Sequence, residues 1–245
     1  MLYTRAVIAV LYDVHGNLPA LEAVVADARA RGAERWIRGG DYALFGPEPE
    51  AADALLRGLA PALWIRGNGE RWTAAPDEAP DNPLLPDAIA VCREALGADE
   101  VAALGALPFD AVDDDARYVH ASPVSDIRSF MPRPADDEAE LLAGVTAPRL
   151  VFGHTHLPFR RSASLRSSPA PPRGAGELVN PGSVGMPFDG DQRAGYALVH
   201  DAVRVEHVRI PYDHGAAAAR MRSRWPGAGW AETVARRIEQ ARMDV

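Results

Sequence analysis

Apolar positions along the chain fall into two alternating rhythms. Short unbroken apolar runs alternate with longer stretches in which apolar residues recur every three or four positions. Val7–Leu11 is such a run and predicts a strand buried on both faces. In the next stretch, 18–30, Leu21, Val24, Val25 and Ala28 share one helical face, with Pro19 suited to the first turn and Gly32 to the end. The rhythm repeats as a strand at 36–37, a helix at 49–59 and a strand at 63–65. Strands alternating with helices predict an α/β fold with parallel strands and right-handed crossovers.

The middle of the chain changes character. Residues 74–88 are rich in Ala, Pro and Asp and read as an irregular excursion. Helices are expected at 89–96, 99–104 and 136–142, and strands at 117–120 and 150–152. The segment 160–177 has the lowest complexity and predicts a long hairpin tip or a mobile loop. Strands follow at 178–180, 196–199 and 203–210, the last two as a hairpin about His200-Asp201-Ala202, and then helices at 214–224 and 230–243. There is no repeat and no dividing linker, so one domain over 1–245 is expected, with C-terminal helices in 214–245. An apolar stripe on 85–104 offers a face for a homo-oligomer.

Composition narrows the classes. The chain has 245 residues, 47% of them apolar, which excludes disorder and a disulfide scaffold. A net charge of −8 argues against duplex nucleic acid as a partner. The longest apolar runs fall short of the roughly 18–20 residues that span a bilayer, so no membrane is expected. Residues 1–12 resemble a short signal segment, but they lack a small-residue cleavage site and run straight into Asp13 and His15, so a core strand is the better reading. The lone Cys92 gives no disulfide framework and fits the cytoplasm.

The candidate chemistry sits at strand ends. Asp13-Val14-His15 follows the first strand, Gly40-Asp41 the second and Gly67-Asn68-Gly69-Glu70 the third; His120 ends the fourth, and Gly153-His154-Thr155-His156 follows the fifth. Ligands in open α/β folds bind off the carboxyl ends of strands, so these seven side chains are expected along one edge of one sheet. Imidazole and carboxylate together suit a borderline transition metal such as Mn, Fe, Co, Ni or Zn. Seven donors are too many for one open site and suit two divalent ions sharing a carboxylate, a pair that clamps a phosphoryl group. In an extended segment Asp-x-His and His-x-His each put both side chains on one side.

With these five motifs in this order, the chain resembles the calcineurin-like metallophosphoesterases, in their small bacterial and archaeal phosphodiesterase-type branch. Gly16-Asn17-Leu18-Pro19 and Asn180-Pro181-Gly182-Ser183-Val184-Gly185 add to the likeness, which spans 7–200. The resemblance implies a four-layer α/β/β/α sandwich on two mixed sheets. It implies one ion on Asp13, His15, Asp41 and His156 and a second on Asp41, Asn68, His120 and His154, with Asp41 bridging and Asp41 and Asn68 serving catalysis. A hydroxide between the ions would then attack phosphorus in line. The substrate would be a small phosphate ester or a nucleotide, as diester or monoester.

Two positions depart from the pattern. Tyr12 stands where many relatives have Ser. Gly69 stands where many have a His proposed to steady the phosphate or protonate the leaving group, which favours substrates with good leaving groups here. Arg71 is either a solvated surface residue or a bidentate phosphate contact. Asn17 either caps the helix from Leu18 or faces the substrate. The alternative to an enzyme is a catalytically weak nucleotide- or phosphate-binding relative acting as sensor or scaffold, for which Gly69 and Tyr12 speak.

Overall fold

The computed structural model describes residues 6–113, 115–163, 176–200 and 204–244. Strands β1 (Val7–Leu11), β2 (Ala33–Arg38) and β3 (Ala62–Trp64) run parallel, with α1 (Leu18–Ala30) and α2 (Pro49–Arg57) as crossovers. Helices α3 (Asn68–Ala74), α4 (Leu85–Leu96) and α5 (Ala98–Gly105) lead to β4 (Asp110–Asp113) and β5 (Ala116–Val119). Then come α6 (Glu138–Leu141), β6 (Arg149–Val151), β7 (Phe159–Ser162), β8 (Glu177–Asn180), β9 (Ala194–Val199), β10 (Val205–Ile210), α7 (His214–Arg224) and α8 (Gly229–Gln240).

The strands form two five-stranded mixed sheets, ordered β10-β9-β1-β2-β3 and β4-β5-β6-β8-β7. Period-2 alternation explains how they stack. On β1, Ile8 and Val10 point between the sheets, where they meet Tyr118, Val151 and Val179 of the second sheet. Ala9 and Leu11 point the other way, against Leu21, Val24 and Ala28 of α1. The outer face of the second sheet is covered by a smaller cluster, Phe130, Leu141, Leu142 and Val145 over Leu150, Phe152 and Leu178. This is the α/β/β/α layering that the motif resemblance implies.

Several expectations change. The five strands followed by the candidate ligands are divided, β1, β2 and β3 in one sheet and β5 and β6 in the other, so the candidate residues come from two sheets. The stripe at 85–104 is covered within the chain: Leu85, Ile89 and Cys92 pack with Trp230, Val234 and Ile238 of α8, and Leu104 joins the core beneath α1. β7 and β8 pair antiparallel from Phe159↔Asn180 to Ser162↔Glu177, as a hairpin requires. Of the segment 160–177, where the sequence predicts a hairpin tip or mobile loop, residues 164–175 lie outside the described residues, as do 201–203 between the antiparallel β9 and β10. Among the described residues no helix is long and apolar enough to cross a membrane.

Candidate metal centre

The loops that leave β1 and β2 are laced together by their backbones. Asp13 N–H donates to Gly40 O (3.1 Å), His15 N–H to Asp41 O (2.9 Å) and Gly16 N–H to Tyr42 O (2.7 Å). This lacing bends the chain sharply. Asp13, His15, Asp41, His154 and His156 all have left-handed backbones, with φ of 54°, 48°, 56°, 65° and 57°. Few non-glycine residues adopt this region, and those that do concentrate at functional sites. The two D-x-H and H-x-H segments are therefore not extended. His154 and His156 turn to different clusters, which corrects the same-side expectation from strand periodicity.

Asp13, His15 and His156 converge in one cluster, and Asp41, His120 and His154 in a second, each with ligand atoms within 4.8 Å of one another. His15 Nε2 lies 3.2 Å from His156 Nε2, and His156 Nε2 lies 3.6 Å from Asp13 Oδ1. Asp41 faces both clusters, with Oδ1 3.5 Å from His120 Nε2 and Oδ2 3.8 Å from His15 Nε2. The side-chain amide of Asn68, the first residue of α3, joins the second cluster, with its oxygen 3.1 Å from His120 Nε2.

Hydrogen bonds fix which ring nitrogens are free. His15 Nδ1–H donates to Leu44 O (2.8 Å), His120 Nδ1–H to Gly39 O (2.8 Å) and His156 Nδ1–H to Met186 O. A carbonyl only accepts, so each Nδ1 holds a proton; in the neutral His15 and His156 each Nε2 then offers a lone pair inward, and His120 Nε2 does so once its second proton leaves. Turned over, the Asn68 amide would donate to His120 Nε2, His154 Nδ1 and the Asp126 carbonyl, at 2.9–3.1 Å. With its oxygen inward, it faces acceptors alone unless a positive charge lies among them. Donor atoms bound at about 2.0–2.2 Å to a common ion stand a little over 3 Å apart, as these do. The donor set fits two divalent cations.

Electrostatics point the same way. Burial alone would raise the Asp41 carboxyl, but His120, His15 and His154 hold it far below the ordinary carboxylate range. Burial would lower His120, but the Asp41 and Asp13 carboxylates push it up to about 10. Burial and then neighbouring imidazoles lower His154 to about 4 and His156 well below its usual value, and burial also lowers His15. These three imidazoles are neutral at pH 7. Asp13 is raised, chiefly by burial.

A supporting frame surrounds the clusters. The buried Glu70 carboxylate accepts from the backbone N–H of Asp41 (2.8 Å), Tyr42 (2.8 Å) and Gly67 (2.7 Å), tying the β2 loop to the start of α3. Burial and then Asp41 push its carboxyl up to about 7. Ser183 Oγ donates to Asp13 O (2.7 Å) and accepts from Met186 N–H (2.8 Å). A Cβ on Gly185 would collide with Val14 O, so only glycine lets this turn rest against the β1 loop. Sequence reasoning gave Glu70 and Ser183 no part in the site. The signal for Glu70 was its place three residues after Gly67, a helix-start spacing.

Two expected substrate contacts are otherwise engaged. Asn17 is buried; its Oδ1 caps α1 by accepting from Ala20 N–H (3.3 Å), and its Nδ2 donates to Gly185 O (2.7 Å) and Tyr212 Oη (3.1 Å). It is a cap and a brace and does not face the substrate. Arg71 is clamped bidentately on Asp126 (2.6 and 2.8 Å), with Nη1 on Glu78, so its guanidinium is neither a free surface group nor open to phosphate. Tyr12 packs between the sheets and donates to Val151 O (3.1 Å). Cys92 is buried in the core, its thiol pushed up by burial to about 12. Gly69 N–H donates to Asp41 Oδ1 (2.7 Å), and a Cβ there would sit 2.9 Å from the same oxygen.

Comparison with known proteins gives a consistent set of relatives. The family model of the calcineurin-like phosphoesterase superfamily domain matches residues 7–202. The crystal structure of a metallophosphoesterase from Sphaerobacter thermophilus is 30% identical and superposes with a TM-score of 0.79, covering 96% of this chain and 99% of that one. A hypothetical protein from Pyrococcus horikoshii, 22% identical, has the same fold, with a TM-score of 0.80 over 97% of this chain and 99% of its own. An uncharacterised protein from Methanocaldococcus jannaschii is 28% identical over 224 residues, 85% of this chain and 89% of that one.

Proposed function

Because the chain belongs to the calcineurin-like phosphoesterase superfamily, a family of metal-dependent hydrolases of phosphoric esters, we propose that it is a single-domain, binuclear phosphodiesterase or phosphatase. Asp13, His15, Asp41 and His156 would hold one ion, and Asp41, Asn68, His120 and His154 the other. The observation that carries this reading is the Asp41 carboxylate, which turns one oxygen toward each cluster, at 3.5 Å from His120 and 3.8 Å from His15. A carboxylate so placed is suited to bridge.

A pair of divalent ions supplies charge neutralisation at the phosphoryl group and a water of lowered pKa. The chain's own residues do the rest. Glu70 and Ser183 hold the ligand loops rigid, so little reorganisation is needed as charge develops. His15, His154 and His156 are neutral at pH 7 and lend their lone pairs without first losing a proton. The reaction joins a water oxygen to phosphorus and breaks the P–O bond to the ester group, which leaves as the alcohol with a proton that the water gives up. Imidazole, carboxylate and amide donors accept Mn, Fe, Co, Ni or Zn. The lone buried Cys92 supports a cytoplasmic setting, and the shared inter-sheet core supports one domain.

The alternative, a phosphate-binding sensor or scaffold, has Gly69 in its favour and the full ligand set against it. Hydrolysis of bis(p-nitrophenyl) phosphate by the purified chain, with Mn²⁺ or another of these metals and after chelation, decides between them. Turnover that chelator abolishes and metal restores is expected. Two bound ions with no turnover on any phosphate ester would favour the sensor instead.

A further inference from the structure

Beside the centre lies a cavity of about 820 Å³ with His154 on its wall. That is within the size range of sites that enclose small organic ligands and far larger than a phosphoryl group. Ile127, Met131, Leu157, Phe188 and Met243 make much of the remaining wall apolar, beside polar residues such as Ser129 and Thr155. Three of these are unusually exposed for their type, Ile127 at 48%, Met131 at 43% and Met243 at 62%. Large apolar side chains gathered at the mouth of a site mark a surface that binds something apolar. Phe188 joins cavity to centre, because its ring stacks on His156 with centroids 4.4 Å apart and planes 8° from parallel.

The charges around the cavity argue against a second phosphate. Arg242 is held by Asp244 at 3.1 Å through two nitrogens, and Asp189 by Arg209. The charges that line the cavity are thus already paired, Asp244 with Arg242 and Asp189 with Arg209. A polyphosphate or a nucleic-acid strand would find no unpaired cation among these residues, whereas an apolar group would meet Ile127, Met131, Leu157, Phe188 and Met243.

We infer that this cavity receives an ester substituent of the substrate and selects a large aromatic or apolar group, so that the enzyme acts on phosphoesters of bulky hydrophobic alcohols. The inference rests on the phosphoesterase reading of the adjoining centre. The group enters between the 127–131 segment and the C-terminal residues 242–244, with the phosphoryl toward His154.

Competitive inhibition of the Mn²⁺-loaded enzyme by methylphosphonate and 1-naphthylphosphonate tests it, since the two share one charged head and differ only in the apolar group. Wild type is expected to bind the naphthyl compound at least tenfold more tightly. Met131→Asp and Ile127→Asp, both at exposed positions, should bring the ratio of inhibition constants toward one, and Met131→Leu should restore it. Equal inhibition constants in wild type, or an advantage that survives both Asp variants, overturns the inference. A dimer by sedimentation at micromolar concentration, with no naphthyl advantage, also overturns it and gives the apolar rim to a second copy. Failure of both phosphonates to inhibit the metal-loaded enzyme instead removes the phosphoesterase reading, and the inference with it.

Discussion

The Nε2 atoms of His15 and His156 stand 3.2 Å apart with their lone pairs facing each other, because both Nδ1 protons are committed to backbone carbonyls. Two acceptors do not approach this closely at rest without a positive charge between them. Ion binding is therefore expected to stabilise the fold, by about 2.7 kcal/mol at a free ion concentration one hundred times Kd. For a chain of this length that is roughly 5–10 °C in Tm. Calorimetry with Mn²⁺ and with chelator measures the difference, and elemental analysis should find two ions per chain in wild type and one in His156→Ala. An unchanged Tm, or two ions retained by the variant, contradicts the arrangement.

Acidity enters through His120. Its folded pKa of about 10 is above the ordinary imidazole value. The stability it contributes is fully present below about pH 6.5 and is lost as pH rises through about 10. His15, His154 and His156 are lowered, so they act oppositely, and their contribution falls as pH drops below about 6.5. The chelated protein should therefore be most stable near neutrality. Ligation displaces the His120 proton, so metal uptake at pH 7 should release protons and weaken as pH is lowered. Tm against pH with and without metal, and proton release in weakly buffered titrations, check both signs.

Glu70 acts through the backbone: its carboxylate accepts three N–H groups, those of Asp41, Tyr42 and Gly67, that set Asp41 and Asn68 in place. Glu70→Gln keeps the shape and leaves one oxygen and an NH2 against three donors. Metal affinity should fall by about 10- to 100-fold, the usual range for such supporting partners. Titration against a competing chelator measures it, and an unchanged Kd would show that the loops hold themselves.

Gly69 offers no proton to a departing alcohol. General acids contribute about 10²–10⁴-fold where they act. The rate should therefore depend steeply on leaving-group pKa, falling at least about tenfold between p-nitrophenyl and phenyl esters of one series. A flat dependence would reveal a proton donor elsewhere in the site. Gly69→His should not simply add one, because its Cβ would press on Asp41 Oδ1 from 2.9 Å.

Much of the centre was legible in the sequence for one physical reason: each ligand follows a short apolar strand, and strand ends converge where sheets meet. Asp13, His15, Asp41, Asn68, His120, His154 and His156 all arrive from that pattern and meet in two clusters. The division into two sheets was not legible from periodicity, because β4 and β7 carry Asp110, Asp113, Arg160 and Arg161 and lack an apolar alternation. The start of α3 was hidden because Asn-Gly is a strong turn signal, and here Asn68 opens a helix instead. The engagements of Asn17 and Arg71 depend on Gly185, Tyr212 and Asp126, partners far away along the chain. The cavity is built partly by Phe188 and Met243, which no motif marks.

The left-handed backbone at five of the proposed ligands has a consequence for how such a protein ages under mutation. Asp, Asn, His and above all Gly tolerate that conformation, while β-branched residues do not, and an unfavourable residue there costs about 1–2 kcal/mol. Asp13→Gly or His156→Asn would thus relax the chain at positions of the proposed centre. Drift away from catalysis runs toward greater folding stability at these sites. A descendant without ions would keep the sandwich, and its silence would be invisible in the fold.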